Sequence, residues 1–197
     1  MTSISVEGVR GGIGTSTLTW AIARELENCK LFDYSSHQGI GWVTGGFEID
    51  FNWPEYVSKE VSTRDVFSKM NVVENVAVFS GGFPYQLSEE IISSHDGNLV
   101  FDGRAQTQFR IQHTTNSFAD IKALEKKPDF DLLVMRKVRG GIPHSILPEL
   151  KIDFIYKSES NVHRTISNGY GLHRKTKVQL VAKEICARLS DISSINN

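Results

Sequence analysis

The chain has 197 residues, 22 basic and 23 acidic side chains, a formal net charge of −1 and 40% hydrophobic residues, which fits one α/β domain able to bury a full core. So even a balance by itself implies no nucleic-acid or membrane partner, but residues 1–100 carry 6 basic and 13 acidic groups whereas residues 101–197 carry 16 and 10. The basic second half is either a solvated surface or a face for an acidic partner, DNA or anionic lipid. Cys29 and Cys186 are isolated, without C-x-x-C spacing, and fit reduced thiols in a cytoplasmic protein. No run approaches the ~18 apolar residues of a membrane span, and no signal-like segment opens the chain.

Ile4, Val6 and Val9 form a short strand-like run, and Leu18, Ala21, Ile22 and Leu26 the apolar face of a helix over residues 16–27. Between them stands Val9-Arg10-Gly11-Gly12-Ile13-Gly14-Thr15-Ser16-Thr17. A glycine-rich turn from strand to helix start converges backbone N–H groups on an anion. Ser16 stands where a phosphate loop places the hydroxyl that holds Mg²⁺. The pattern is broken twice. Thr15 replaces the lysine that reaches the β/γ-phosphates, and the first glycine of the motif falls on Val9, with Gly8 one position early.

Arg10-Gly11-Gly12-Ile13-Gly14-Thr15-Ser16-Thr17 resembles the deviant Walker A motif, K-G-G-x-G-K-[ST]-T, of the MinD/ParA ATPases. Within that group it looks most like the TadZ/CpaE-like proteins of Tad pilus systems, some of which also lack the loop lysine. A second patch is similar to that family's G-G-G-L-D-x-x-L-G-x-E and W-P-D-L elements: Gly39-Ile40-Gly41-Trp42-Val43-Thr44-Gly45-Gly46-Phe47-Glu48, then Asn52-Trp53-Pro54-Glu55.

The resemblance covers most of the chain. It implies ATP on Arg10, Gly11, Gly12, Ile13, Gly14, Thr15, Ser16 and Thr17, with Mg²⁺ held by Ser16, Asp33 and Asp102. Arg10 takes the position of the signature lysine that reaches the nucleotide of the opposite subunit of a homodimer. The family's D-x-D-x-x-G element matches Asp33, but its second, water-positioning aspartate is Ser35 here. No catalytic residue is therefore assigned, and the expectation is a degenerate ATPase that binds nucleotide weakly or not at all. It would act as a dimeric scaffold for pilus or secretion machinery at the cytoplasmic membrane face or a cell pole. Longer family members carry a receiver-like N-terminal domain; the loop begins so near residue 1 that none is expected here.

Residues 29–33 read as the second strand, and Asp33 closes it at the edge where α/β sheets bind ligands, or else caps the following turn. Residues 35–63 form a connection whose glycines favour turns, with room for a short helix between the glycine pairs. Its aromatics (Trp42, Phe47, Phe51, Trp53, Tyr56) either fold back as a satellite core, which is favoured, or build a partner surface. A short helix starts at residues 63–67, strand follows at 72–73 and 76–79, and helix at 86–93. Asn98-Leu99-Val100-Phe101-Asp102 is an apolar strand closed by an aspartate, the Walker B form, with Asp102 the natural outer ligand for Mg²⁺. Arg104 contacts phosphate, a dimer partner or a surface carboxylate.

A helix is expected at 117–125, and the apolar run at 131–136 reads as a strand buried on both faces. A short helix from 141 to 150 and a strand at 152–156 follow. Lys157, Ser158 and Glu159 form a solvated loop or, by the resemblance, meet the adenine. Residues 168–171 form a turn, 176–189 a helix with Val178, Val181, Ile185 and Leu189 inward, and 190–197 a frayed end. The expected architecture is a single α/β, P-loop NTPase-like domain over residues 1–190, mostly parallel, with helices on both faces.

The six histidines show no metal-ligand spacing. Two alternatives stay open. One is a ParA-like DNA-binding partition ATPase using the basic second half. The other is a short-chain dehydrogenase, from the glycine turn at Gly8, Gly12 and Gly14 with Asp33 about 20 residues on. The second lacks the Y-x-x-x-K that such enzymes need, Tyr170 being followed by Arg174 instead.

Overall fold

The computed structural model describes residues 1–34, 39–44, 63–68, 70–79, 88–126, 129–147, 149–167 and 171–195. Eight strands form one sheet: β1 (Ser3–Gly8), β2 (Cys29–Asp33), β3 (Asn71–Val73), β4 (Val76–Phe79), β5 (Asn98–Asp102), β6 (Phe109–Thr115), β7 (Leu132–Lys137) and β8 (Phe154–Lys157). Their order is β3-β4-β2-β5-β1-β6-β7-β8. All neighbours are parallel except β3, which turns back antiparallel on β4 at the edge. Seven α-helices are described: α1 (Thr15–Glu25), α2 (Gly39–Val43), α3 (Thr63–Ser68), α4 (Ser88–Ser93), α5 (Phe118–Leu124), α6 (Ser160–Ser167) and α7 (Lys177–Ile195). This is the expected α/β, mostly parallel architecture. No helix among the described residues is long and apolar enough to cross a membrane.

Period-2 alternation sorts the strand residues between two faces. On one, Ile4, Val6, Leu31, Val100, Ile111 and Val134 pack under α1 and α7, with Leu18, Ile22, Val181 and Ile185 completing a fully buried core. On the other, Phe32, Phe79, Leu99 and Phe101 meet Val66 of α3 and Ile91 of α4. There Phe32 and Phe101 stack with centroids 5.2 Å apart, a geometry that adds to plain area burial. Leu133 meets Leu124 of α5 with Val9 and Ile13 of the glycine-rich loop. The loop is thus anchored from below by its own apolar residues.

Residues 103–108 cross from β5 over β1 to β6, although parallel strands are ordinarily joined by a dozen residues or more including a helix. The face they cover is polar, so no apolar helix is needed. Thr107 donates to Ser5 Oγ at 2.9 Å and the Gln108 N–H to Ser3 Oγ at 2.8 Å. A groove of about 620 Å³ remains beside them, lined among others by Glu7, Arg104 and Arg110.

Several elements depart from the sequence expectations. β6 went unread because Arg110, Gln112, His113, Thr114 and Thr115 interrupt its apolar pattern. α6, an eight-residue helix of mostly polar residues, has no counterpart among those expectations. The helix expected at 141–150 is only a 3₁₀ turn, His144–Ile146. α7 continues to Ile195 rather than fraying at 190, with Ile192 packed on the core. The satellite-core aromatics beyond Trp42, together with Ser35, lie outside the described residues; Trp42 itself is 65% exposed.

Candidate functional site

The carboxyl edge of the sheet, on the face covered by α1, carries a row of polar side chains. Leu31, Val100, Ile111, Val134 and Phe154 belong to or flank the core; two residues on, the same strands place Asp33, Asp102, His113, Arg136 and Tyr156 on the same face. The pairings Asp33↔Asp102, Gly8↔His113 and Arg136↔Tyr156 confirm that these positions share a side. β1 runs through the middle of the row, and its matching position is Gly8, where the loop departs. Acids therefore lie on one side of β1 and the cation on the other.

The loop enters α1 through Gly14, a left-handed N-cap with φ 90°, a conformation for which glycine carries no Cβ penalty. Gly8 is required for a different reason: a Cβ there would lie 2.3 Å from Thr15 Oγ1. Thr15 thus turns its hydroxyl back toward β1 and β6, where it lies 3.4 Å from His113 Nδ1. On its far side His113 Nε2 meets the Tyr156 hydroxyl at 3.0 Å. Burial, with the charge of Arg136 adding to it, pushes this imidazole down to about 3, so it is neutral in ordinary buffers.

Asp102 and Asp33 are both buried, side by side at the strand ends. Thr19 donates to Asp102 Oδ1 at 3.0 Å and Ser16 also bonds the carboxylate. Asp102 Oδ2 is buried without a partner. Asp33 accepts from the Ile40 N–H, at the start of α2, at 3.0 Å. Burial first, and then the charge of Asp33, raises Asp102 to about 7 against the pull of the two hydroxyls. Two adjacent buried carboxylates with an orphaned oxygen and a serine hydroxyl form an all-oxygen donor set, the chemistry that Mg²⁺ takes. The residues present fit that ion.

Arg10 is tied down within its own chain. Its guanidinium engages both oxygens of Asp120 on α5, through Nε to Oδ1 and through Nη2 to Oδ2 at 3.3 Å. Asp120 is fully buried, and although burial alone would raise its carboxyl, the bonds from Arg10, Thr115 and the Ser117 cap hold it below the ordinary value. The open groove over the loop, about 780 Å³, is lined by Arg10, Gly11, Gly12, Gly14, Ser16 and Asp102 among others. A second compartment of about 370 Å³ adjoins it across Gly12, Gly14, Thr17 and Trp42, and reaches Arg136, Tyr156 and the Lys157–Glu159 turn. Of the residues marked by the sequence, the structure gathers Gly11, Gly12, Gly14, Thr15, Ser16, Thr17 and Asp102 around one groove, with Asp33 beside Asp102. Ile13 is instead buried beneath the loop. Arg136, His113 and Asp120 carry no site expectation from the sequence, because what each of them meets lies far away in the chain.

No family model and no curated protein matches the sequence. Solved structures do match in fold. The cell division ATPase MinD of Pyrococcus furiosus superposes with a TM-score of 0.75 at 15% identity, covering 97% of this chain and 99% of that one. MinD of Pyrococcus horikoshii, complexed with Mg-ADP, gives 0.72 at 13% identity, covering 100% and 98%. A plasmid partition protein of Borrelia burgdorferi bound to AMPPNP gives 0.69 at 11%, covering 96% and 98%. The fold is that of the MinD/ParA P-loop ATPases. Its strand order places β5 between β1 and β2, whereas a dinucleotide-binding sheet sets its first two strands side by side. The dehydrogenase alternative is thereby removed.

Proposed function

We propose that this chain is a nucleotide-dependent positional factor, a TadZ/CpaE-like localisation or assembly protein for a Tad-type pilus or secretion machine, which works by binding Mg-ATP or Mg-ADP with little or no turnover. The observation that carries the nucleotide part is the unpartnered Asp102 oxygen beside Asp33 at the mouth of a glycine-rich loop leading into α1. Ser16, Asp102 and Asp33 would hold Mg²⁺, which supplies the positive charge that lets both carboxylates ionise and that shields phosphate oxygens. The loop N–H groups and the N-terminus of α1 hold phosphate by dipole and hydrogen bond. Trp42 and Tyr156 flank the adjoining compartment with apolar surface for a base.

Slow turnover follows from two substitutions. Thr15 turns its hydroxyl toward His113 and presents no cation to the β/γ-phosphates, and Ser35 lacks the carboxylate that positions water. The pilus role rests on the resemblance of residues 39–48 and 52–55. Homodimerisation and recruitment to a membrane face or cell pole belong to the same reading. With Arg10 committed to Asp120 in its own chain, bridging to a partner nucleotide requires that pair to open.

Calorimetric titration with Mg-ATP, Mg-ADP and NADPH, with sedimentation in parallel, tests this. Adenine nucleotide binding that needs Mg²⁺ and drives dimerisation is expected; absence of any nucleotide binding overturns it. ATP turnover that is abolished by Asp33→Ala would contradict the non-turnover part.

A second reading, a DNA-partition ATPase, is favoured by the exposed basic side chains Lys137, Arg139, Lys157, Lys175 and Lys177 and by the likeness to the Borrelia partition protein. DNA affinity that falls steeply with salt would select it.

A further inference from the structure

We infer that Arg136 is the phosphate-binding cation of this loop, standing in from β7 for the lysine that Thr15 replaces. The inference rests on the nucleotide-binding reading above and names which residue holds the phosphate oxygens of a nucleoside di- or triphosphate.

Three observations carry it. The first is position. Arg136 Nη1 would lie 3.2 Å from a Cβ built on Gly14, so the guanidinium is packed against the residue that caps α1. It lines the smaller, adjoining compartment together with Gly12, Gly14 and Thr17, which this space shares with the groove over the loop. The fork reaches the loop from the β7 side, opposite the Asp33–Asp102 pair.

The second is that Arg136 has no counter-charge among the described residues. Its side chain makes no hydrogen bond or ion pair with any described residue, and its Nε is buried without a partner. Among the described residues, the nearby acids are committed elsewhere. Asp120 is held by Arg10. Glu159, the acid in the compartment, accepts from the Lys177 N–H at 3.1 Å. Asp33 and Asp102 stand beyond β1. A half-buried guanidinium left this way is costly, and an anion on the loop relieves that cost.

The third is what surrounds it. His113 is fully buried, and its ring is shared between Thr15 and the Tyr156 hydroxyl, so neither imidazole nor phenol is free to turn to Arg136. The guanidinium is the positive group packed on the loop's own cap. Its planar fork suits bidentate contact with phosphate oxygens.

The test is calorimetric titration of wild type, Arg136→Gln and Arg136→Lys with magnesium tripolyphosphate, Mg-ATP and adenosine. We expect the glutamine variant to lose roughly 30-fold in affinity for tripolyphosphate and Mg-ATP, about 2 kcal/mol at 1.4 kcal/mol per tenfold. Adenosine affinity should stay unchanged, and lysine should recover part of the loss. Equal tripolyphosphate binding by wild type and Arg136→Gln overturns the inference while leaving the nucleotide reading intact. So does a parallel loss of adenosine, which would place Arg136 on the base or ribose. Failure of wild type to bind any of the three removes both. A second measurement needs no variant: the Arg136 Nε–H resonance of the wild-type protein should shift on adding tripolyphosphate, and an unmoved resonance overturns the assignment.

Discussion

Replacing Asp102 by Asn should stabilise the metal-free protein while abolishing its response to Mg-nucleotide. Asp102 is raised from 3.8 to about 7, by burial and by Asp33 beside it. At 1.36 kcal/mol per unit, a shift of about 3 units amounts to about 4 kcal/mol for carrying the second charge in the folded state. The amide keeps an oxygen for the hydroxyls of Ser16 and Thr19, and it offers an N–H₂ where Oδ2 now has no partner. We therefore expect a net gain of about 2 kcal/mol at pH 8, or roughly 4–8 °C in melting temperature for a chain of this size. The pH dependence is equally specific. The folded state keeps a proton that the unfolded chain releases near pH 4. The associated stability is complete below that value, declines as pH rises and is gone above about 7. Urea unfolding between pH 5 and 8.5 without divalent metal should show this decline in wild type and a flatter profile in Asp102→Asn. Mg-ATP should restore wild-type stability at high pH and leave the variant unmoved. A variant less stable than wild type at pH 8, or two parallel profiles, would refute the account of the carboxylate pair.

Other perturbations report on separate parts of the molecule. Arg10→Ala should cost about 1–2 kcal/mol by urea unfolding, less than a fully buried pair because the Arg10 side chain is 55% exposed. Combining it with Asp120→Asn should recover much of that loss in a double-mutant cycle; strict additivity would deny the pair. Asp120 is held below the ordinary aspartate value of 3.8. Its contribution is therefore present above that pH and lost as pH falls through the lowered value, a loss that Asp120→Asn should remove from acid unfolding curves. Adding Thr15→Lys to Arg136→Gln should recover tripolyphosphate affinity, since charge returns to the loop from the other side; no recovery would show that the Thr15 position cannot project a lysine into the groove. Phe101→Ala, which removes the ring stacked on Phe32, should destabilise by about 3–5 kcal/mol.

The parts legible in the sequence were those where one strong local pattern decides. β2, β5 and β7 are apolar runs ending in charge, and α1 and α7 show period-3.6 faces. The loop and its two aspartates followed from glycine spacing and strand ends. β6 was hidden because its partners lie on both sides in space: Gln112 is buried by donating to the Glu7 carbonyl at 2.6 Å, His113 by Thr15 and Tyr156, and Thr115 by Asp120. Buried polar residues with long-range partners look like loop to any one-dimensional reading. Arg136 escaped for a related reason. As the last-but-one residue of a strand it reads as a surface charge, and only the β1–β6–β7 pairings bring it against Gly14.

On the proposed reading, the same geometry would let a phosphate loop carry threonine where it ordinarily has lysine. Alternation along each strand sets one polar residue at the sheet edge two positions past the core. The strand order then decides which of these residues face the loop from each side. Here β2 and β5 bring carboxylates to the side that takes a cation, while β7 brings a guanidinium to the side from which the loop presents Gly14. The cleft therefore keeps a positive group against the loop without any residue of the loop supplying it. A charge fixed to a strand end cannot follow a phosphoryl group as the flexible stem of a loop lysine does. On the reading proposed above, such a site would favour holding a nucleotide over transferring its phosphate, and turnover restored by Thr15→Lys would count against it.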